Sequence, residues 1–134
     1  MGAMSRTKGA AGERELRRLL EAELGPGISR NLSQTRDGGH DLTGVGPFAI
    51  EVKRYKRATA SMLAAWWTQA EAQAESAGLR PALAWREDRA PWRVLVRLAD
   101  VRPGLGPWPG IEWTAAVTLP AFAALVRETG RAVR

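Results

Sequence analysis

The sequence predicts one α/β domain in which helices pack on a β-sheet, and three observations support this fold class. The chain has 134 residues, enough for one hydrophobic core and too few for two comfortable ones. Its 45% hydrophobic and 25% charged residues are typical of a globular protein. Segments with apolar residues at helical spacing also alternate with segments whose apolar residues recur at every second position. We therefore expect a single domain over residues 1–134.

The net charge and the numbers of cysteine and histidine side chains limit the functions that the protein could have. Twenty basic and fourteen acidic side chains give a net charge of +6, which favours a polyanionic partner such as nucleic acid, although basicity alone does not establish one. The chain has no cysteine and one histidine, which excludes disulfides, thiolate metal sites and histidine-rich zinc sites. Any metal ion must therefore be held by oxygen atoms.

The N-terminus carries no predicted targeting signal. We interpret residues 1–5, with the run Met1-Gly2-Ala3-Met4, as a tag or a disordered terminus that includes a native start at Met4. No apolar run approaches the length of a membrane span, so we expect no membrane association and a cytoplasmic location.

The first element is a predicted helix over residues 8–24. Its leucines recur at helical spacing, and Gly25-Pro26-Gly27 ends it. Glu13 falls in line with this apolar stripe, whereas Glu15 points the opposite way. A carboxylate at the end of an apolar stripe is costly unless it meets a cation or a hydrogen-bond donor. The alternative is that Glu13 interacts with the helix dipole in the first turn and reaches water.

Two predicted strands follow the first helix. Residues 28–35 form a weakly alternating strand, which the Asp37-Gly38-Gly39 turn connects to Asp41. The segment Phe48–Lys53 alternates more clearly, which places its glutamate and its lysine on one face. The two strands and the Gly/Pro turn between them therefore bring Asp41, Glu51 and Lys53 into one region.

These residue types suit phosphodiester hydrolysis. Asp41 and Glu51, brought together by a hairpin, form an oxygen-rich pocket for a hard cation such as Mg²⁺. Lys53 beside them is able to hold a phosphate or to position a water molecule. The alternative is an edge strand whose charged side chains are merely solvated, and the spacing alone does not decide between the two readings.

The second half of the chain continues the alternation of helices and strands. Arg54, Lys56 and Arg57 extend the basic run begun by Lys53, and they either contact DNA phosphates or remain solvated at the strand end. The remaining predicted elements are a helix capped by Thr59 or Ser61 and ending at Gly78, strands over residues 81–86 and 92–98, a loop over 102–110, a possible strand over 111–117 and a helix over 120–128 with a stop at Gly130.

Taken together, the order and the motifs resemble a known nuclease family. Asp41 and the Glu51-Val52-Lys53 triplet stand in the signature places of the PD-(D/E)xK superfamily. The run from Lys8 to Leu16, K-G-A-A-G-E-R-E-L, is similar to the first helix of archaeal-type Holliday junction resolvases. The resemblance covers residues 6–98 and implies a restriction-endonuclease-like core, a central mixed β-sheet flanked by helices. Residues 99–134 are expected to form a C-terminal extension that diverges from the family.

The resemblance also implies roles for individual residues. Asp41, Glu51, the backbone carbonyl of Val52 and Glu13 match the positions that hold the metal, expected to be Mg²⁺ with Mn²⁺ as a second candidate. Lys53 matches the lysine beside the attacking water. DNA contacts are expected from the basic run and from the further positions that the resemblance adds: Lys8, Arg14, Arg30, Ser33, Arg54, Lys56, Arg57 and Arg86. His40, where the superfamily name places proline, has only a minor chance of touching DNA.

The function that the resemblance implies is cleavage of branched DNA. We expect a structure-specific endodeoxyribonuclease, a Holliday junction resolvase, that acts as a homodimer and makes two symmetric metal-dependent nicks in a four-way junction. One alternative is another PD-(D/E)xK nuclease acting on flaps or ends or in restriction or repair. A second alternative is a catalytically silent DNA-binding member of the fold, against which the presence of Glu13, Asp41, Glu51 and Lys53 together argues.

Overall fold

The protein folds into one sheet with helices on both faces. The computed structural model describes residues 2–31 and 41–132, and it describes the side chains of residues 9–31 and 41–129. The elements in chain order are α1 (Gly2–Leu24), β1 (Ser29–Arg30), β2 (Leu42–Val45), β3 (Phe48–Tyr55), α2 (Ala60–Ala77), β4 (Arg80–Glu87), β5 (Arg93–Arg97), α3 (Leu98–Val101), a 3₁₀ turn (Ile111–Trp113), β6 (Thr114–Thr118) and α4 (Leu119–Ala132).

The six strands lie in the sheet in their sequence order, from β1 to β6. β3 and β4 pair in parallel over their whole length, from Phe48 opposite Arg80 to Tyr55 opposite Glu87. All the other neighbouring strands pair antiparallel. A parallel pair needs a crossover connection, and α2 supplies it. The predicted fold class, a central mixed sheet flanked by helices, is therefore confirmed.

The hydrophobic core has two parts, one on each face of the sheet. On one face α1 and α4 cover the strands, with Leu16, Leu20 and Phe122 fully buried. On the other face Trp66 and Trp67 of α2 pack against residues from β4 and β5. The central strands are consequently buried on both sides, which is why β4 reads as a continuous apolar run rather than as a clear alternation.

Local signals in the sequence set the ends of α2 and the path into β2. The Thr59 hydroxyl accepts a hydrogen bond from the Met62 amide at 3.2 Å, and Gly78 ends the helix in a left-handed conformation with φ of 69°.

At Gly44, φ is 84°, and a Cβ there would clash with the carbonyl oxygen of Gly27. The glycine lets β2 approach the segment that follows α1, next to the acidic residues.

Several predicted boundaries need correction. α1 starts at Gly2 rather than near Lys8, because no proline interrupts the preceding residues. The predicted strand over 28–35 is reduced to Ser29–Arg30 among the described residues, and its end lies outside them. The stop at Gly130 is wrong because α4 continues to Ala132. A glycine ends a helix only where it adopts the left-handed conformation, and it is otherwise tolerated within one at a cost of about 1 kcal/mol.

The C-terminal segment is part of the same core. The predicted strand over 111–117 begins later than expected, because Ile111–Trp113 forms a 3₁₀ turn in which the Thr114 hydroxyl donates to the Ile111 carbonyl at 2.6 Å. β6 then joins the edge of the sheet. Phe122 of α4 meets Phe48 edge-on, with 5.1 Å between ring centroids. Within the described part of the chain, no helix is both long and apolar enough to cross a bilayer.

Candidate active site

Two buried carboxylates lie side by side, one just before β2 and one on β3. Asp41 precedes β2, and its backbone amide donates to the Ile50 carbonyl of β3 at 2.8 Å. The Val52 amide donates to Oδ2 of Asp41 at 2.6 Å, which fixes the aspartate against the strand that carries Glu51. The exposed fraction is 4% for Asp41 and 3% for Glu51, and these are the buried charged residues of the described core. The hairpin predicted from the sequence thus brings both acids together.

Burial of both carboxyl groups and the charge of Glu51 beside Asp41 make this pair costly to ionise. Loss of hydration raises the pKa of Asp41 to about 8, and the neighbouring charge of Glu51 adds to the rise. Loss of hydration also raises the pKa of Glu51, although the ammonium group of Lys53 acts in the opposite direction. Two acids held this close in a dry environment need an additional positive charge in order to be fully ionised near neutral pH.

The donor set fits a divalent cation. Oε1 of Glu51 is buried and has no hydrogen-bond partner among the described residues. An oxygen atom left without a partner beside a second carboxylate is what a hard, oxygen-liganded cation requires. No group of three or more acidic, histidine or cysteine side chains converges within the described ranges. Backbone carbonyl groups and water would have to complete the coordination.

Lys53 is held next to the acids from two sides. Its Nζ atom lies 3.3 Å from Oε2 of Glu51 and 5.9 Å from the centre of the Trp66 ring. Trp66 belongs to α2 and packs against Tyr55, with 4.8 Å between the ring centroids. An ammonium group within about 6 Å of an indole face is attracted by the ring quadrupole. Helical periodicity marks Trp66 only as an apolar residue, so its contact with the lysine is not predictable from the sequence.

Glu13 of α1 forms an ion pair with an arginine. Nε of Arg30 donates to Oε1 of Glu13 at 2.9 Å, and the side chain of Glu13 is only 12% exposed. Its charge still acts on the acid pair, since it contributes to the raised pKa of both Asp41 and Glu51. Glu13 therefore borders the acidic pair, and the structure places Arg30 there as well.

The remaining predicted DNA contacts, apart from Arg86, fall into three groups. Arg14, Lys56 and Arg57 are exposed. Arg54 is half-buried beside Gly12, and its Nε atom is buried with no hydrogen-bond partner among the described residues. Two predicted contacts, Ser33 and the Lys8 side chain, lie outside what the structure describes, as do His40 and the Asp37-Gly38-Gly39 turn.

Arg86 has a structural environment that sequence reasoning missed. Its Nη1 atom lies 2.5 Å from Oε1 of Glu15, and the Trp92 indole donates to the same oxygen at 2.7 Å. Burial alone would raise the pKa of Glu15, but these two hydrogen bonds and the nearby guanidinium groups hold it below its usual value. The Glu15 side chain therefore ties α1 to the end of β4 and the start of β5. It does not simply project into solvent.

Together, the mixed sheet, the paired buried acids and the adjacent lysine match the arrangement expected of a PD-(D/E)xK nuclease. Residues 4–103 match the family described as "Phage putative PDDEXK endonuclease", and the chain belongs to this family. Nucleases of this type hydrolyse phosphodiester bonds and generally depend on a divalent metal ion. No curated protein sequence matches the chain.

A solved structure with a similar fold is that of Hjc, a Holliday junction resolvase from the archaeal hyperthermophile Archaeoglobus fulgidus. The two chains are 17% identical and superpose with a TM-score of 0.54. The match covers 85% of this chain and 97% of the archaeal one. The similarity confirms the restriction-endonuclease-like fold.

Proposed function

We propose that this protein is a structure-specific endodeoxyribonuclease that cuts four-way DNA junctions. The observation that carries the proposal is the buried pair of Asp41 and Glu51, with one unpaired carboxylate oxygen and Lys53 at 3.3 Å. This arrangement supports hydrolysis of a phosphodiester rather than a silent DNA-binding role, because binding alone gives no reason to bury two acids at such a cost. The likeness of the fold to a Holliday junction resolvase supports branched DNA as the substrate.

The proposed mechanism assigns a role to each charged group of the site. Asp41, Glu51 and the Val52 carbonyl would hold a divalent cation, Mg²⁺ or alternatively Mn²⁺, with Glu13 assisting. When bound, such an ion polarises the scissile phosphate and acidifies water. Lys53 contributes a positive charge at the phosphate, where negative charge develops during hydrolysis. Trp66 keeps the lysine ammonium beside Glu51, so that the charge is in position before the substrate arrives.

DNA would be held mainly through its backbone. Arg14, Lys56 and Arg57 are exposed and free to meet phosphates by charge, in keeping with the net charge of +6. Arg30 and Arg86 already form ion pairs with glutamates, so a DNA contact from either would compete with an existing partner. Recognition through the backbone reads shape rather than sequence, which suits a branched substrate.

The substrate also favours a homodimer. Resolution of a four-way junction requires two nicks related by symmetry, and a two-fold dimer presents two identical sites in that relation. The family match favours one further candidate, an endonuclease of phage type that cuts a different DNA structure.

A substrate panel separates these candidates. The purified protein is incubated in Mg²⁺ with a four-way junction, a flap, a nicked duplex and a linear duplex of matched sequence, and a parallel series contains EDTA. We expect paired nicks in the junction, little cutting of the linear duplex and none in EDTA. Equal cutting of linear and branched DNA would remove the resolvase proposal and leave a general nuclease.

A further inference from the structure

A basic cavity lies beyond the end of β3, apart from the acid pair. Its lining residues are Lys56 and Arg57, which follow β3, and Asp88 and Arg89, which form the turn between β4 and β5. The cavity has a volume of about 570 Å³. Three cations and one carboxylate face it, so it carries an excess of positive charge on an open surface.

The walls of this cavity are tied together by hydrogen bonds. The Ala58 amide donates to Oε2 of Glu87 at 2.9 Å, which joins the segment after β3 to the end of β4. The Ala90 amide donates to the Glu87 carbonyl at 3.2 Å and closes the turn. The side chains that line the cavity therefore start from backbone positions that are already fixed relative to each other.

Arg89 occupies an unfavourable backbone conformation in that turn. Its φ is 63°, and within the described part of the chain no other residue except glycine has a positive φ. The third position of a turn with this geometry normally takes glycine, because a side chain is disfavoured there. An arginine at such a position is less favourable for the backbone than a glycine, and it places a guanidinium group beside two other cations.

We propose that Lys56, Arg57 and Arg89 form a binding site for a backbone phosphate of the DNA substrate. The inference rests on the proposed nuclease function and adds Arg89 to its DNA contacts. Guanidinium groups bind phosphate oxygens in pairs, and Asp88 leaves the cavity with two net positive charges to be matched. Lys56 is three residues from Lys53, roughly 10 Å along an extended chain. A phosphate bound in the cavity would therefore be a different one from the scissile phosphate.

The test compares two arginine-to-glycine variants. Arg89→Gly removes the proposed contact and suits the backbone conformation, so the folded state is retained. Arg102→Gly is the matched control, because Arg102 is exposed and follows β5 and α3, at the end of the sheet opposite the β4–β5 turn. Arg89→Lys keeps the charge in the same conformation. Affinities for a fluorescein-labelled four-way junction and for a linear duplex are measured by anisotropy in EDTA over a range of KCl concentrations.

Loss of one phosphate contact has a defined signature. For Arg89→Gly we expect the slope of log affinity against log salt to become shallower by about 0.9 and the affinity at 0.1 M salt to fall about eightfold, on both DNAs. Arg89→Lys should retain most of the slope, Arg102→Gly should bind like the wild type, and Arg89→Gly should melt no lower than the wild type.

Two results would overturn the inference. If Arg89→Gly binds with the same affinity and salt slope as Arg102→Gly, the cavity is not a phosphate site, while a wild type that still binds and cuts DNA leaves the nuclease function intact. If the wild-type protein binds neither DNA, the proposed function fails and this inference fails with it.

Discussion

Replacing Asp41 by asparagine is expected to stabilise the metal-free protein at alkaline pH while abolishing cleavage. The substitution keeps an oxygen that can accept the hydrogen bond from the Val52 amide at 2.6 Å, so the hairpin is preserved. It removes the charge that is costly beside Glu51, and its amide group is able to donate towards that carboxylate. A gain in stability together with a loss of activity is typical of a site whose charges are arranged for function.

The magnitude follows from the pKa of Asp41, which lies at about 8 in the folded protein and at 3.8 in the reference state. Because the folded pKa is raised, the folded state holds its proton more tightly. The resulting stabilisation of the folded state over the unfolded state is complete below pH 3.8 and is lost as the pH rises through about 8. At about 1.36 kcal/mol per pH unit, the loss is at most about 6 kcal/mol, or roughly 20 °C in melting temperature for a chain of this size.

The assay is thermal unfolding in EDTA between pH 5 and pH 9. The difference in melting temperature between Asp41→Asn and the wild type should grow with pH. In a parallel series with Mg²⁺ in place of EDTA, the melting temperature of the wild type should rise and that of the variant should not. Glu75→Gln, which removes an exposed carboxylate from α2, is the control and should show no such trend. A variant that is less stable than the wild type at pH 9 in EDTA would refute the reasoning.

Two further predictions concern contacts that the structure places around the site. Trp66→Phe weakens the attraction for the Lys53 ammonium by about 0.5–1 kcal/mol, so the single-turnover cleavage rate should fall roughly twofold to fivefold with DNA affinity unchanged. Trp108→Phe, at an exposed tryptophan, is its control, and an equal effect on both rates would contradict the positioning role. Glu15→Gln should lower the free energy of unfolding by about 1–3 kcal/mol at pH 7, because Arg86 and Trp92 lose a charged acceptor. Since folding lowers the pKa of Glu15, the difference in stability between Glu15→Gln and the wild type should disappear as the pH falls through the folded pKa. Urea unfolding at pH 7 and at acidic pH measures this difference, and an equal difference at both pH values would contradict the prediction.

The central part of the site was predictable from the sequence because it is encoded locally. The two-residue period of a strand fixes Glu51 and Lys53 on one face, and a short hairpin brings Asp41 to the neighbouring strand. Helical periodicity similarly indicated that Glu13 needs a cation or a hydrogen-bond donor unless it reaches water from the first turn, but it did not identify Arg30 as the partner.

The contacts that the sequence did not predict join distant parts of the chain. Glu15 and Arg86 are 71 positions apart, and their pairing depends on how α1 crosses the sheet. The contact between Lys53 and Trp66 likewise depends on the angle at which α2 packs on β3, which no local spacing encodes. Arg89 escaped notice because its conformation is a property of the turn and not of the residue type.

The most direct measurement of the central claim is the single-turnover cleavage of a four-way junction in Mg²⁺ by the wild type, Asp41→Ala and Glu51→Ala, with binding measured in parallel. The account predicts that the wild type nicks the junction, that both variants lose cleavage by a factor of at least about 100, and that both still bind it. Cleavage at the wild-type rate by either variant would contradict the assignment of the buried acid pair as the catalytic site.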